Sequence, residues 1–209
     1  MLHKIRLAAY IPLWWMLQRT SVAAAIERDA VRARMPHEPP TDLPAAAELS
    51  RWTMLESIST PQVRSVAYAR LYFGRSWERA LSKIIRRILP GLRDFELNCS
   101  DIGPGLVIGH GYGTVIWAQR IGQDCTIHQG ATVGVSLTLW TAKTELARAL
   151  PTLGDGVWVA PGATILGGVR VGNAAVIAAH AVVIRDVPEH SLAVGVPASV
   201  RQRVPRSQD

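Results

Sequence analysis

The stretch Leu153–Val183, LGDGVWVAPGATILGGVRVGNAAVIAAHAVV, places an aliphatic residue at every sixth position: Leu153, Val159, Ile165, Val171, Ile177 and Val183. Gly, Ala or Leu usually follows each of them. A period of six fits neither the 3.6-residue repeat of an amphipathic helix nor the two-residue alternation of a hairpin sheet. It fits a hexapeptide β-helix, in which one aliphatic per repeat points into a narrow prism and small residues turn the corners. Three hexapeptides close one triangular coil, so 18 residues advance the chain by one strand spacing of about 4.8 Å.

Upstream, the same beat returns in two other phases, Val115, Ile121, Ile127 and Val133, and before them Ile102 and Ile108. From Ile102 to Val187 there is room for about four coils. The beat is broken twice. Ile108 and Val115 are seven apart, which predicts one residue inserted within Gly109–Thr114. Val133 and Leu153 are twenty apart, and Gly134–Thr152 carries no hexapeptide pattern. It reads as an extruded loop with a helical turn around Glu145–Leu150. Residues extruded from a regular coil are free to serve a ligand. The first break centres on His110, bracketed by Gly109, Gly111 and Gly113, where the backbone can bulge and present an imidazole outward beside exposed amides. His128 and His180 stand in unbroken hexapeptides and read as structural.

Residues 1–94 follow helical rules. Ser21 is placed to cap a helix running to Arg34, residues 35–40 (MPHEPP) form a linker, Asp42 with Pro44 starts a further helix, and Thr60 with Pro61 another. The last runs from Gln62 to Leu89 with a break at Gly74. It carries Val66, Leu71, Trp77, Leu81, Ile84, Ile85 and Ile88 at helical spacing before Pro90-Gly91 stops it. This part is expected to be a helical cap or oligomerisation region.

The apolar run Leu7–Leu17 is too short to span a bilayer, and Pro12, the paired Trp14 and Trp15 and the polar Gln18-Arg19-Thr20 suit an export signal poorly. It reads as a packed amphipathic helix that can also touch a membrane interface. Residues 1–98 hold 15 Lys and Arg against 9 Asp and Glu, and residues 99–209 hold 8 against 7, so the formal charge of +7 is concentrated N-terminally. No zinc finger or aromatic-interleaved basic motif accompanies it, which argues against nucleic acid as partner. Cys99 and Cys125 lack the spacing of a zinc site or a disulfide scaffold, and no metal is expected. Two cysteines fit a reducing cytoplasm.

Four segments, 102–116 (IGPGLVIGHGYGTVI), 121–134 (IGQDCTIHQGATVG), 153–172 (LGDGVWVAPGATILGGVRVG) and 186–198 (DVPEHSLAVGVPA), together resemble serine acetyltransferase and its hexapeptide-repeat O-acetyltransferase relatives. The resemblance covers about residues 95–200. It implies an α+β chain: a helical N-terminal region, 1–94; a left-handed parallel β-helix of hexapeptide repeats, 95–200, with the extruded loop 134–152; and a tail, 201–209. It also implies acetyl-CoA as co-substrate with no bound cofactor, and a homotrimer with active sites between subunits and trimers able to pair into hexamers. His110 falls on the family's catalytic histidine, a general base that takes the proton of an acceptor hydroxyl as it attacks the thioester; nearby glycine amides could hold the tetrahedral oxyanion. Glu96 lies closest to the position of the carboxylate that orients this histidine, with Asp94 and Asp101 as competitors. Gly134, Pro161 and Ala179 fall on acetyl-CoA-contacting positions.

The sequence departs from the family at three residues in two places. Gly109 stands where an acidic residue precedes the histidine, and Ala149-Leu150 stand where an Arg-His pair follows the long loop; in the family these groups bind the amino acid. A shorter subgroup tied to polysaccharide or natural-product pathways also lacks some of these groups and is similar in its H-G-Y-G segment. The acceptor therefore stays open between L-serine and a sugar or other hydroxyl, with a non-catalytic hexapeptide scaffold as the remaining reading. The final residues, RVPRSQD, lack the C-terminal Ile through which serine acetyltransferases dock cysteine synthase, so no stable complex with that enzyme is expected.

Overall fold

The computed structural model describes residues 7–34, 50–136 and 149–203. Among the described residues, the sheets are preceded by helices α1 (Ile11–Leu17), α2 (Ala23–Arg32), α3 (Arg51–Ser59), α4 (Pro61–Phe73) and α5 (Ser76–Ile88). The linker and the helix expected from Asp42 lie outside the described residues. Gly74 separates α4 from α5 at the expected break, and Pro61 opens α4 at a position where a missing N–H costs nothing. Ser21 does not cap α2, which starts at Ala23 after Val22. Its hydroxyl donates instead to Glu78 Oε2 at 2.9 Å, so a tertiary carboxylate took the group that local sequence had assigned to a cap. In α5 only part of the expected apolar stripe is buried: Ile85 packs inward, whereas Trp77, Ile84 and Ile88 are exposed, because buried Glu78 and Ser82 take the inner face.

The second part is a parallel β-solenoid with three faces. One face stacks β1 (Phe95–Asn98), β3 (Thr114–Trp117), β6 (Thr132–Gly134), β9 (Thr164–Leu166) and β12 (Val182–Val183). A second stacks β2 (Val107–Gly109), β5 (Thr126–His128), β8 (Trp158–Val159), β11 (Val176–Ile177) and β13 (Ser191–Val194). The third pairs β4 (Arg120–Ile121), β7 (Thr152–Leu153) and β10 (Arg170–Val171), extended by bridges from Ile102 to Ile121 and from Val171 to Val187. The last described strand, β14 (Ser199–Gln202), runs antiparallel to β13, so the first residues of the expected tail belong to a strand.

The strand registers align three aliphatic columns along the prism: Ile102, Ile121, Leu153, Val171 and Val187; Ile108, Ile127, Val159, Ile177 and Ala193; Leu97, Ile116, Val133, Ile165 and Val183. Each column has five rungs, one more than the expected four coils. Two rungs lie outside the expected span: Leu97 of β1, which is only five residues before Ile102 and so keeps no hexapeptide beat, and Ala193 of β13, six residues after Val187.

The columns also correct one member of the repeat. Ile116 is fully buried and Val115 is 39% exposed, so Ile116 and not Val115 points into the prism. Two adjacent β-branched residues give a one-dimensional pattern no means of choosing between them; pairing does, because Leu97 opposes Ile116 and Glu96 opposes Val115. The step from Ile108 to Ile116 is thus eight residues, two beyond the repeat, and the step to Ile121 is five. The second interruption adds fourteen residues: Ile121 stacks on Leu153, 32 positions later instead of 18. The helical turn expected there lies mainly outside the described residues.

The helices dock on the first coils through charged groups. Arg70 and Asp29 form a buried bidentate pair, with Nε to Oδ2 at 2.7 Å and Nη2 to Oδ1 at 2.8 Å. Asp29 Oδ1 also accepts the backbone N–H groups of Gly105 and Leu106, while Arg70 donates to the carbonyls of Ile102 and Gly103. Burial pushes the Asp29 carboxyl up, and Arg70 with the two amides opposes that push. One coil further, Arg28 reaches the Asp124 carboxylate and Arg32 its carbonyl. These contacts bring the helices over the corner that carries His110.

Candidate active site

In an unperturbed coil of the β2–β5–β8–β11 face, the third residue after the aliphatic takes a positive φ and turns the corner: Gly130 (70°), Gly162 (68°) and His180 (58°) follow Ile127, Val159 and Ile177 in this way. Their amides stack the corner, Gly162 N–H donating to Gln129 O and His180 N–H to Pro161 O. In the first coil the equivalent bond runs from Gly130 N–H to Tyr112 O, and the equivalent turning residue is Gly113 (63°). The chain therefore fits five residues, Gly109 to Gly113, where the coils below fit three.

The surplus is taken up at His110 (φ 60°) and Gly111 (78°), closed by a bond from Gly111 N–H to Gly109 O at 2.7 Å. A left-handed conformation costs a non-glycine residue roughly 1–2 kcal/mol, so His110 is held there by the turn around it. Gly111 allows the close packing: a Cβ on it would run into Leu92 and Ile108. The imidazole is exposed and borders a cleft of about 460 Å³ between the coil and the helices, with Arg34, Glu56, Ser57, Thr60 and Gln62 on the other wall. On that wall Arg34 Nη1 meets Glu56 Oε2 at 2.7 Å.

Gly109 has a specific neighbour. A Cβ there would lie 2.5 Å from Nδ1 of His128, whose buried ring is tilted by 44° against Trp158 with the ring centres 4.9 Å apart. The space beside the residue before His110 is thus filled by a second imidazole from the coil below. Among the described residues no group of three or more His, Cys, Asp or Glu could hold a metal.

The candidate carboxylates sit apart from one another. Glu96 Oε1 accepts from Trp117 Nε1 at 2.7 Å and borders a separate cleft of about 420 Å³ with Tyr68, Tyr72 and Arg86. Asp101 faces Arg120 at 3.7 Å on another edge of the prism, and Asp94 is an exposed residue at φ 53° just before β1. Of the donor positions, Pro161 and Ala179 occupy equivalent places in successive coils on the corner that carries His110. Gly134 ends β6 on the next corner, its amide oxygen accepting from Gly167 N–H, with open space where a Cβ would stand. Pro161 and Ala179 thus share a corner on which Gly134 does not lie. The polar wall of Arg34, Glu56 and Gln62 was not foreseen from sequence, since only tertiary packing brings the helices to the bulge.

Residues 151–185 match the family described as bacterial transferase hexapeptide (six repeats). The chain is 34% identical over 148 residues to a serine acetyltransferase of Bacillus pumilus, covering 70% of this chain and 63% of that one. The chain thus spans less than two thirds of that relative's length. Among solved structures, a serine acetyltransferase of Neisseria gonorrhoeae superposes with a TM-score of 0.65 at 24% identity, covering 91% of this chain and 69% of that one. A serine acetyltransferase in complex with CoA superposes with a TM-score of 0.57 at 26% identity, covering 85% and 67%. Among the described residues, no helix is long and apolar enough to cross a membrane. The chain is a hexapeptide-repeat protein with the left-handed parallel β-helix fold, and by sequence and fold it is similar to the serine acetyltransferases.

Proposed function

We propose that the protein is an acetyl-CoA-dependent O-acetyltransferase of the serine acetyltransferase type, acting on L-serine or a similar small hydroxylated acceptor in the cytoplasm. The observation that carries this reading is the two-residue extrusion that presents His110 in a left-handed turn at the mouth of a polar cleft. A regular β-helix does not need this bulge, and the helices clamped over it supply a second wall. His110 acts as general base: the imidazole takes the acceptor's hydroxyl proton while the oxygen adds to the thioester carbonyl. The tetrahedral intermediate then collapses with release of the CoA thiolate, which regains a proton. A positioned base of this kind accelerates such a step by about 10²–10⁴-fold.

The donor lies along the prism edge formed by Pro161 and Ala179, where small corner residues leave room for an extended pantetheine. Gly134, on a different corner, completes the donor site from a neighbouring copy, which makes a homotrimer the functional unit. Glu96, the carboxylate expected to orient His110, holds Trp117 through Oε1 and lines a different cleft.

One observation favours a second acceptor class. The place beside Gly109 is filled by His128, so the amino-acid-binding acidic group of the serine enzymes has no room there without moving that ring. A sugar or other neutral polyol would be recognised by hydrogen bonds alone. The test is the rate of thiol release from acetyl-CoA with L-serine set against a panel of sugars and sugar alcohols. Turnover with serine supports the amino-acid reading, turnover only with a polyol replaces it with the second, and release with none contradicts both.

A further inference from the structure

Helix α5 is built with its polar residues inward. Glu78 is fully buried, accepting from Ser21 and from Arg75 N–H, and buried Ser82 donates to the Tyr68 carbonyl at 3.0 Å. Trp77, Ala80, Ile84 and Ile88, at i, i+3, i+7 and i+11, line one exposed face; Trp77 is 45%, Ile84 60% and Ile88 71% exposed. An apolar stripe about 16 Å long on a 13-residue helix is more than scattered surface apolarity and calls for a partner.

The charges beside the stripe identify that partner. Arg79, Lys83, Arg86 and Arg87 are all exposed and occupy the flank next to the apolar face, while the single carboxylate of the helix, Glu78, is consumed internally. If two copies of α5 packed face to face, these cations would gather along one seam with no exposed anion of either helix to offset them. We propose that the outer face of α5 is a docking surface for an anionic lipid membrane. Trp77, Ile84 and Ile88 enter the boundary between headgroups and acyl chains, and the four cations engage lipid phosphates. Helix α1 has a similar make-up, with Ile11 and Trp15 exposed one turn apart and the Arg19 guanidinium 3.2 Å from the Trp15 ring centre. The proposal does not depend on the chemistry at His110.

The full chain is sedimented with vesicles of phosphatidylcholine alone and of phosphatidylcholine mixed with phosphatidylglycerol. The expected result is binding to the mixed vesicles that weakens as salt is raised and is marginal on the neutral ones. Combined Trp77→Ser, Ile84→Ser and Ile88→Ser, and separately combined Lys83→Glu, Arg86→Glu and Arg87→Glu, should each lower the partition by about tenfold or more. All six positions are exposed, and circular dichroism checks that both variants fold. Absence of binding to anionic vesicles, or equal binding by the folded variants, overturns the proposal. So does an Ile84→Cys variant that cross-links efficiently to a second copy in solution, since the face would then be covered by protein.

Discussion

Gly109 and Gly113 flank the same turn, yet they are glycine for different reasons, and substitution separates them. A methyl at Gly109 meets the His128 ring, while one at Gly113 meets nothing within 4 Å and strains only the backbone at φ 63°. Gly113→Ala should therefore cost roughly 1–2 kcal/mol from conformation alone. Gly109→Ala should cost about 1–3 kcal/mol through overpacking. In urea titrations, His128→Ala should rescue Gly109→Ala and leave Gly113→Ala unchanged; equal rescue of both would contradict this assignment. A second pair of residues tests the packing of the prism. Burial pushes the Cys125 thiol up to about 12 and the Cys99 thiol up to about 11, and their Sγ atoms donate to the carbonyls of Gly154 and Asp101. Neither carries appreciable thiolate near neutrality, so both should resist alkylation in the native protein and react once it is unfolded. Modification of the native chain at the unfolded rate would show that the prism opens.

The helical region is joined to the solenoid by a few buried charges more than by a shared apolar core. Asp29→Ala leaves Arg70 and the amides of Gly105 and Leu106 without their acceptor, a loss of about 3–5 kcal/mol for a pair buried this deeply. Hydrogen exchange should then show α2 and α4 losing protection while the strands from β7 onward keep theirs; uniform loss would mean that the two parts unfold as one. Glu78 adds a pH dependence. Burial alone would raise its carboxyl, but hydrogen bonds from Ser21 and Arg75 carry it below the usual carboxylate range. A carboxyl depressed in the folded state contributes stability that is present above that range and lost as pH falls through its folded value. Protection of the first turn of α5 should fall in acid, and Glu78→Gln should remove that dependence. The same elements show what sequence could reveal. The solenoid was legible because one aliphatic per six residues is imposed by the prism itself, and the break at Gly74 was legible because glycine interrupts helices locally. The choice of Ile116 over Val115, the diversion of Ser21 to Glu78 and the outward face of α5 were not legible, because each is decided by a partner distant in the chain.

At the scale of the molecule, position matters more than any single group. The bulge at His110 was visible as a slip in the repeat, although its length of two residues emerged only when Ile116 was seen to fill the prism. The facing wall of Arg34, Glu56 and Gln62 had no sequence signal at all. Gly134 lies on a different corner from Pro161 and Ala179, and the proposed donor site joins the two corners through a second copy. Sedimentation equilibrium should accordingly find a trimer or a multiple of it, and an active monomer would exclude a shared site. The most direct measurement is thiol release from acetyl-CoA by the wild-type chain and by His110→Ala, both shown to be folded, with the acceptor that supports the fastest turnover. The account predicts a loss of about 10²-fold or more in kcat with the fold and the association state intact. Undiminished turnover by the variant would contradict it.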